Sequence, residues 1–263
     1  MPRLSIITIN FNDLSGLKKT VESVLEQTFQ DYEYIIIDGA STDGSREFIE
    51  EKQHQFAYWI SEEDSGIYSA FNKGIRKAKG DFLLFLNSGD RLTQASALND
   101  FVHHEKFGGD IIYGDYKFKE GAKVYADELS PIYLMRTSLP HQSTFFKKEV
   151  FEQMGNYDET YTMGGDRAFF IKCLLSQQFK FTHVNYFLTR FDLEGISNNK
   201  EYQRRKKEED DRMFREYFGV HYEDYKKQLA LEQELKQTKK RTIEGIAKRI
   251  NQKIQKLWRH RRW

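Results

Sequence analysis

The sequence predicts an α/β protein: a doubly wound, mostly parallel central sheet flanked by helices, then a mixed-sheet half and a C-terminal helical tail. Three observations carry this reading. Apolar runs without polar alternation, at residues 4–9, 34–37 and 82–86, read as strands covered on both faces, the condition of a parallel sheet between helix layers. Segments of helical apolar spacing alternate with them through the first 90 residues, the βαβ pattern with its right-handed crossovers. From Asp110 onward strands follow one another with less helix between, which points to a mixed or antiparallel extension.

In chain order, the first strand (4–9) is β-branched and apolar and runs into the polar turn Asn10-Phe11-Asn12-Asp13. Leu14, Leu17, Val21, Val24 and Leu25 then mark one face of a helix. The second strand ends in Asp38-Gly39-Ala40-Ser41-Thr42-Asp43-Gly44-Ser45, and a helix is expected over 45–53. Residues 58–60 form a short third strand, and a helix over 69–79 is entered through Asp64-Ser65-Gly66-Ile67-Tyr68. The fourth strand, 82–86, ends in Asn87-Ser88-Gly89-Asp90, a small polar turn at the end where ligands sit in such sheets. Later strands are expected at 111–116, 123–126 and 180–188, and helices at 148–154 and 168–175, with Asp166 at or near the N-cap of the second.

Size and composition narrow the class. At 263 residues the chain can hold one large α/β domain with an appendage. With 39% hydrophobic and 31% charged residues it belongs with folded proteins rather than disordered ones. Its single cysteine, Cys173, excludes an internal disulfide and a cysteine-based zinc cluster, and fits a reducing compartment. The N-terminus lacks the basic segment and long apolar run of a secretory signal, and no run reaches the roughly 18 apolar residues of a membrane span.

The first βα turn has no glycine before Gly16, so it is not the Gly-x-Gly-x-x-Gly turn of a dehydrogenase-type dinucleotide domain. Acids stand in its place. Asp38, Asp43 and Asp90 all fall at or just after the C-terminal ends of predicted strands. Singly, each is a helix cap or turn residue as readily as a ligand. Together on one edge they point to a nucleotide held through carboxylates and a hard divalent cation.

These segments resemble the inverting family-two glycosyltransferases of the GT-A fold, particularly bacterial enzymes of surface-polysaccharide assembly. The resemblance covers roughly residues 3–215. It rests on Ser5-Ile6-Ile7-Thr8-Ile9-Asn10-Phe11-Asn12, on the segments from Ile37 to Ser45 and from Asp64 to Tyr68, on Asn72-Lys73-Gly74, and on the stretch from Gly80 to Asp90. It implies transfer of a sugar from a nucleoside diphosphate, with UDP as the expected carrier, to a hydroxyl of a glycan or polyprenyl-diphosphate-linked acceptor. It implies donor contacts at Thr8, Asn10, Asp38, Asp43, Asn72, Lys73, Asn87 and Ser88, and Mn²⁺ or Mg²⁺ held at Asp90. The usual Asp-x-Asp metal motif departs here to Asn87-Ser88-Gly89-Asp90. The acidic pair that usually precedes the catalytic helix is Gly165-Asp166, which leaves Asp166 as the general base. His141, Arg190 and Ser197 are expected at the acceptor or the diphosphate, although a loop histidine is equally a structural hydrogen-bonder and Arg190 equally a surface ion pair.

On this reading residues 1–115 form the nucleotide-sugar half, 116–200 the acceptor and catalytic half, 201–233 a charged helical extension and 234–263 a basic amphipathic tail. The tail carries 11 Lys/Arg against 2 Asp/Glu, net +9, while residues 1–233 carry 30 against 38, net −8. Ile243, Ile246, Ile250, Ile254 and Leu257 share one helical face with cations opposite and Trp258 and Trp263 at the end. That pattern suits a helix lying on anionic lipid, placing a cytoplasmic protein on the inner face of the cell membrane; a solvated or self-associating helix is the other reading. No nucleic-acid recognition motif accompanies the basic face. Two rival functions remain at this level. A sugar nucleotidyltransferase would carry a Gly-rich basic first loop, which residues 10–16 are not, and a non-catalytic membrane-recruited binding module would fit the lost acids at 87 and 89.

Overall fold

The computed structural model describes residues 3–191 and 200–260. The first half alternates as its periodicity requires: β1 (Leu4–Asn10), α1 (Leu14–Leu25), β2 (Tyr32–Asp38), α2 (Ser45–Glu51), β3 (Tyr58–Ser61), α3 (Ile67–Lys77) and β4 (Phe82–Asn87). β1 lies between β2 and β4, and β3 flanks β2, all four parallel. Every residue of β1 is buried, the outcome expected of a strand with no polar alternation. α3 approaches β1 so closely that a Cβ at Gly74 would lie 2.4 Å from Ile7 Cγ2; only glycine fits there.

The second half comprises β5 (Arg91–Leu92), α4 (Ala97–Val102), β6 (Ile111–Phe118), β7 (Gly121–Lys123), α5 (Pro131–Arg136), β8 (Thr144–Lys147), α6 (Lys148–Met154), α7 (Gly165–Ser176) and β9 (Phe181–Arg190). They complete one nine-stranded sheet in the order β3-β2-β1-β4-β8-β6-β9-β5, with β7 paired to β6. β8 runs antiparallel between β4 and β6, so the expected change of character after residue 110 is the point where the parallel sheet becomes mixed. One face is packed by α1, α2 and α4 through Leu17, Val21, Ile49, Leu98 and Phe101. The other carries an aromatic layer in which Phe85 stacks on His141 at 4.9 Å and Phe151 on Phe169 at 4.7 Å.

Several boundaries differ from those read in the sequence, each for a local reason. The strand expected at 123–126 ends at Lys123, because the next N–H groups are taken by side chains: Tyr125 N donates to Asp115 Oδ1 (2.9 Å) and Ala126 N to the Tyr133 hydroxyl (3.2 Å). α3 starts two residues early, at Ile67, behind Gly66 at φ +136°. α2 stops at Glu51, and a 3₁₀ turn at Gln53–Gln55 follows. α7 begins at Gly165 with Gly164 at the N-cap, which puts Asp166 inside the first turn rather than at the cap.

The chain divides into two compact units, Met1–Tyr217 and Phe218–Trp263. α8 (Lys200–Phe218) closes the first, and a 3₁₀ turn at Gly219–His221 precedes α9 (Tyr222–His260) in the second. Among the described residues no helix is long and apolar enough to cross a membrane.

Candidate active site

The C-terminal ends of β1, β2 and β4 are tied together by one buried polar network. Asp38, fully buried, accepts four hydrogen bonds: from Asn10 Nδ2 (2.7 Å) and Ser41 Oγ (2.6 Å) at Oδ1, and from Ser41 N (2.9 Å) and Ser61 Oγ (2.6 Å) at Oδ2. Asn10 in turn accepts from Ser88 Oγ at 2.7 Å, joining β1 to the tip of β4. Asp43 accepts from Leu14 N (2.7 Å) and Ser45 Oγ (2.6 Å), so it fixes the start of α1. Desolvation opposes them, but these bonds outweigh it and hold the exposed carboxyl below the usual range. The sequence therefore places a chain of carboxylate, amide and hydroxyl groups at one sheet edge, and their mutual bonds make a rigid floor there.

Two residues without a role in the sequence reading complete this corner. Phe11 is 69% exposed on the β1 turn, an uncommon position for a phenylalanine. Its ring lies 3.2 Å from where a Cβ on Gly39 would sit, and Asp64 Oδ2 approaches the same point to 3.1 Å. Partial burial pushes the Asp64 carboxyl up. The available signal was an aromatic residue set inside an otherwise polar turn.

Asp90 is buried, and its Oδ2 accepts from Asn87 N at 2.9 Å. Among the described residues no group of three or more His, Cys, Asp or Glu side chains could by itself hold a metal ion. One carboxylate beside the exposed Asn87 side chain is a partial set of hard oxygen donors, which fits Mg²⁺ or Mn²⁺ when phosphate oxygens and waters supply the rest.

Asp166 is half-buried in the first turn of α7 and accepts from the Tyr68 hydroxyl of α3 at 3.2 Å. Desolvation raises its pKa above the ordinary carboxylate value despite that bond and the nearby Arg167 and Lys206 charges. The packing explains why a glycine precedes it: a Cβ at Gly165 would lie 2.8 Å from the Tyr68 ring. The same ring that orients Asp166 excludes a side chain at 165.

The other expected residues are bonded as follows. Thr8 is buried, its hydroxyl 3.0 Å from that of Tyr34. Asn72 clamps α3 to the segment before α7, bonding Tyr157 O (2.9 Å), Tyr157 N (3.0 Å) and Glu159 Oε1 (2.9 Å). Lys73 reaches Glu63 O (2.9 Å) and Glu62 Oε1 (3.0 Å). His141 is buried in the aromatic layer with Nε2 2.8 Å from the Tyr157 hydroxyl. Arg190 is exposed at the end of β9, opposite Arg91. Ser197 lies outside the described residues.

Residues 5–170 match the family described as Glycosyl transferase family 2. The chain belongs to that family. It is 34% identical to an uncharacterized glycosyltransferase of Mycobacterium tuberculosis, over 76% of this chain and 79% of that one. In fold it resembles S. aureus TarS in complex with UDP-GlcNAc, with a TM-score of 0.63 and 16% identity over 84% of this chain and 73% of that one. It resembles equally the mannosyltransferase PcManGT of Pyrobaculum calidifontis in complex with GDP-Man and Mn²⁺, with a TM-score of 0.63 and 15% identity over 82% and 64%. The family-two chain thus has GT-A-like neighbours and a mixed sheet flanked by helices, and it is a glycosyltransferase.

Proposed function

We propose that this glycosyltransferase inverts the anomeric centre, moving a hexose or N-acetylhexosamine from a nucleoside diphosphate, UDP first, to a hydroxyl of a glycan or lipid-linked acceptor in surface-polysaccharide synthesis. The observation that carries the proposal is Asp166: a half-buried carboxylate, made more basic by desolvation and aimed by Tyr68. A base of this kind takes the acceptor O–H proton as the oxygen attacks the anomeric carbon, while the bond to the diphosphate breaks on the opposite face and its electron pair leaves with the phosphate oxygen. Asn10, Asp38, Asp43 and Ser88 hold the floor under the nucleotide, and Phe11 offers a face for its base. Asp90, with Asn87 and the donor phosphates, would hold Mg²⁺ or Mn²⁺. A bound cation neutralises charge developing on the leaving diphosphate. The Mn²⁺ in the PcManGT complex and the UDP-GlcNAc in the TarS complex support this choice of cofactor and donor class.

The test is release of free nucleoside diphosphate from UDP-, GDP- and dTDP-sugars with Mn²⁺ or Mg²⁺, and again with chelator. Turnover of one donor that chelator stops is the expected result. No turnover of any donor with lipid acceptors present would favour the binding-module reading, and turnover that survives chelator would remove the cation from Asp90.

We also propose that the tail lies on the inner face of the membrane, a reading supported by Ile243 and Ile246, 67% and 51% exposed on α9, and by the net +9 of the last 30 residues of the chain. A chain ending at residue 235 is expected to lose sedimentation with anionic vesicles while keeping soluble-donor turnover. Unchanged vesicle binding by the shortened chain would refute the membrane role.

A further inference from the structure

We infer that two adjacent acids of α8, Glu209 and Asp210, are positioning residues that hold Asp166 in place and set its basicity. This rests on the reading of Asp166 as the base.

The loop entering α7 has no cap of its own: Gly164 stands at the N-cap and offers no side chain. Backbone N–H groups at a helix start need acceptors. A single carboxylate 45 residues further along the chain supplies one for Gly164 N and for the two loop N–H groups before it. Glu209 accepts from Thr162 N (2.7 Å) at Oε1, and from Met163 N (3.0 Å) and Gly164 N (3.1 Å) at Oε2. The same helix holds the loop by two further contacts. The Arg212 guanidinium lies 4.3 Å from the Tyr161 ring centroid, and Met213, fully buried, packs against Gly164.

Asp210 acts one residue further on. Arg167, next to Asp166, is only 7% exposed, and its guanidinium is committed away from that neighbour. Nη1 donates to both Asp210 oxygens at 3.1 Å, Nε to Leu134 O at 2.8 Å and Nη2 to Met135 O, with Phe214 of α8 4.8 Å from its Cζ. A buried guanidinium without its carboxylate partner would bear on the nearest other anion. Here that anion is Asp166. The groups facing Asp166 are Tyr68 of α3, Tyr125 of the β7–α5 loop, Tyr157 before α7, Arg167 of α7 and Lys206 of α8. The two cations in that set favour the ionised, less basic carboxylate. Asp210 neutralises one of them, and α8 thereby keeps Asp166 basic enough to take a proton.

The experiment uses the full-length chain and compares the pH dependence of kcat for wild type, Asp210→Asn, the charge-paired variant Arg167→Gln/Asp210→Asn, and Glu208→Gln as an α8 surface control. Asp210→Asn is expected to move the acid limb about one pH unit lower and to reduce kcat about tenfold, with the donor KM little changed. The double variant, with both charges of the Arg167–Asp210 pair removed, should return the limb towards wild type, and the control should match wild type. An unmoved limb in Asp210→Asn, or a loss of activity that only tracks the folded fraction seen by circular dichroism, would overturn the inference. Should Asp210→Asn not fold, Glu209→Gln decides it: kcat is expected to fall severalfold at an unchanged acid limb and melting temperature, and wild-type kcat would overturn the inference. Asp166→Asn run alongside separates the two readings, because full activity there removes the premise whatever Asp210 does.

Discussion

Asp166→Asn is expected to lower kcat for transfer by a factor of about 10²–10⁴, the usual contribution of a positioned general base, while nucleotide-sugar affinity stays near wild type. The substitution keeps the shape of the side chain, and the Tyr68 hydroxyl can donate to the amide oxygen as it does to the carboxylate at 3.2 Å. What it removes is the capacity to accept a proton. Donor affinity is expected to persist because the network of Asn10, Asp38, Ser41, Ser61 and Ser88 shares no hydrogen bond with Asp166. Wild-type activity should itself fall as the pH drops through the raised pKa of Asp166, since only the ionised carboxylate serves as base. Single-turnover transfer, nucleotide titration and the acid limb of the rate profile measure these three points. Full activity in the variant would take Asp166 out of the mechanism.

The parts of this architecture that the sequence made legible are those fixed by local pattern. Continuous apolar runs located β1, β2 and β4, and the helix expected at 148–154 is α6 (Lys148–Met154), ended by Gly155 at φ +80°. The two-residue β5 and six-residue α4 are too short for a periodicity to show. α5 did have a signal that went unused, Ser130 capping with Pro131 behind it. The acids at the sheet edge could be grouped because strand ends in a parallel sheet share an edge. Their bonding could not be read, since the partners of Asp38 lie at positions 10, 41 and 61. Likewise Asn72 and Tyr157 meet across 85 residues, and Glu209 meets Gly164 across 45. Charge density marked residues 201–233 as a charged helical extension, and nothing local distinguishes Glu209 and Asp210 from the acids around them. Such contacts are set by the tertiary fold alone.

His141 and His183 bring the same distinction to stability, because the two histidines should make it depend on pH with opposite signs. His141 is enclosed by Phe71, Phe85 and Tyr157, and burial pushes its pKa from 6.5 down to about 3. Above about pH 6.5 both the folded and the unfolded chain hold it neutral. As the pH falls below that, the unfolded chain takes up a proton that the folded chain refuses, so stability should fall by about 1.4 kcal/mol per pH unit down to about pH 3. At pH 5 the expected loss is about 2 kcal/mol. His183 works the other way. Burial alone would lower its pKa, but Asp115 at 3.0 Å and Asp127 at 2.5 Å outweigh burial and raise it. Its contribution is complete below about pH 6.5 and is lost as the pH rises through its raised value. Urea midpoints of wild type, His141→Leu and His183→Gln between pH 5 and 8 separate the two. His141→Leu should remove most of the acid-side slope although it leaves the Tyr157 hydroxyl without its ring partner, whereas His183→Gln should flatten the neutral-to-basic side. A slope below pH 6.5 that survives His141→Leu would show that the imidazole is hydrated, or protonated within the fold, and that the aromatic layer does not exclude the charge.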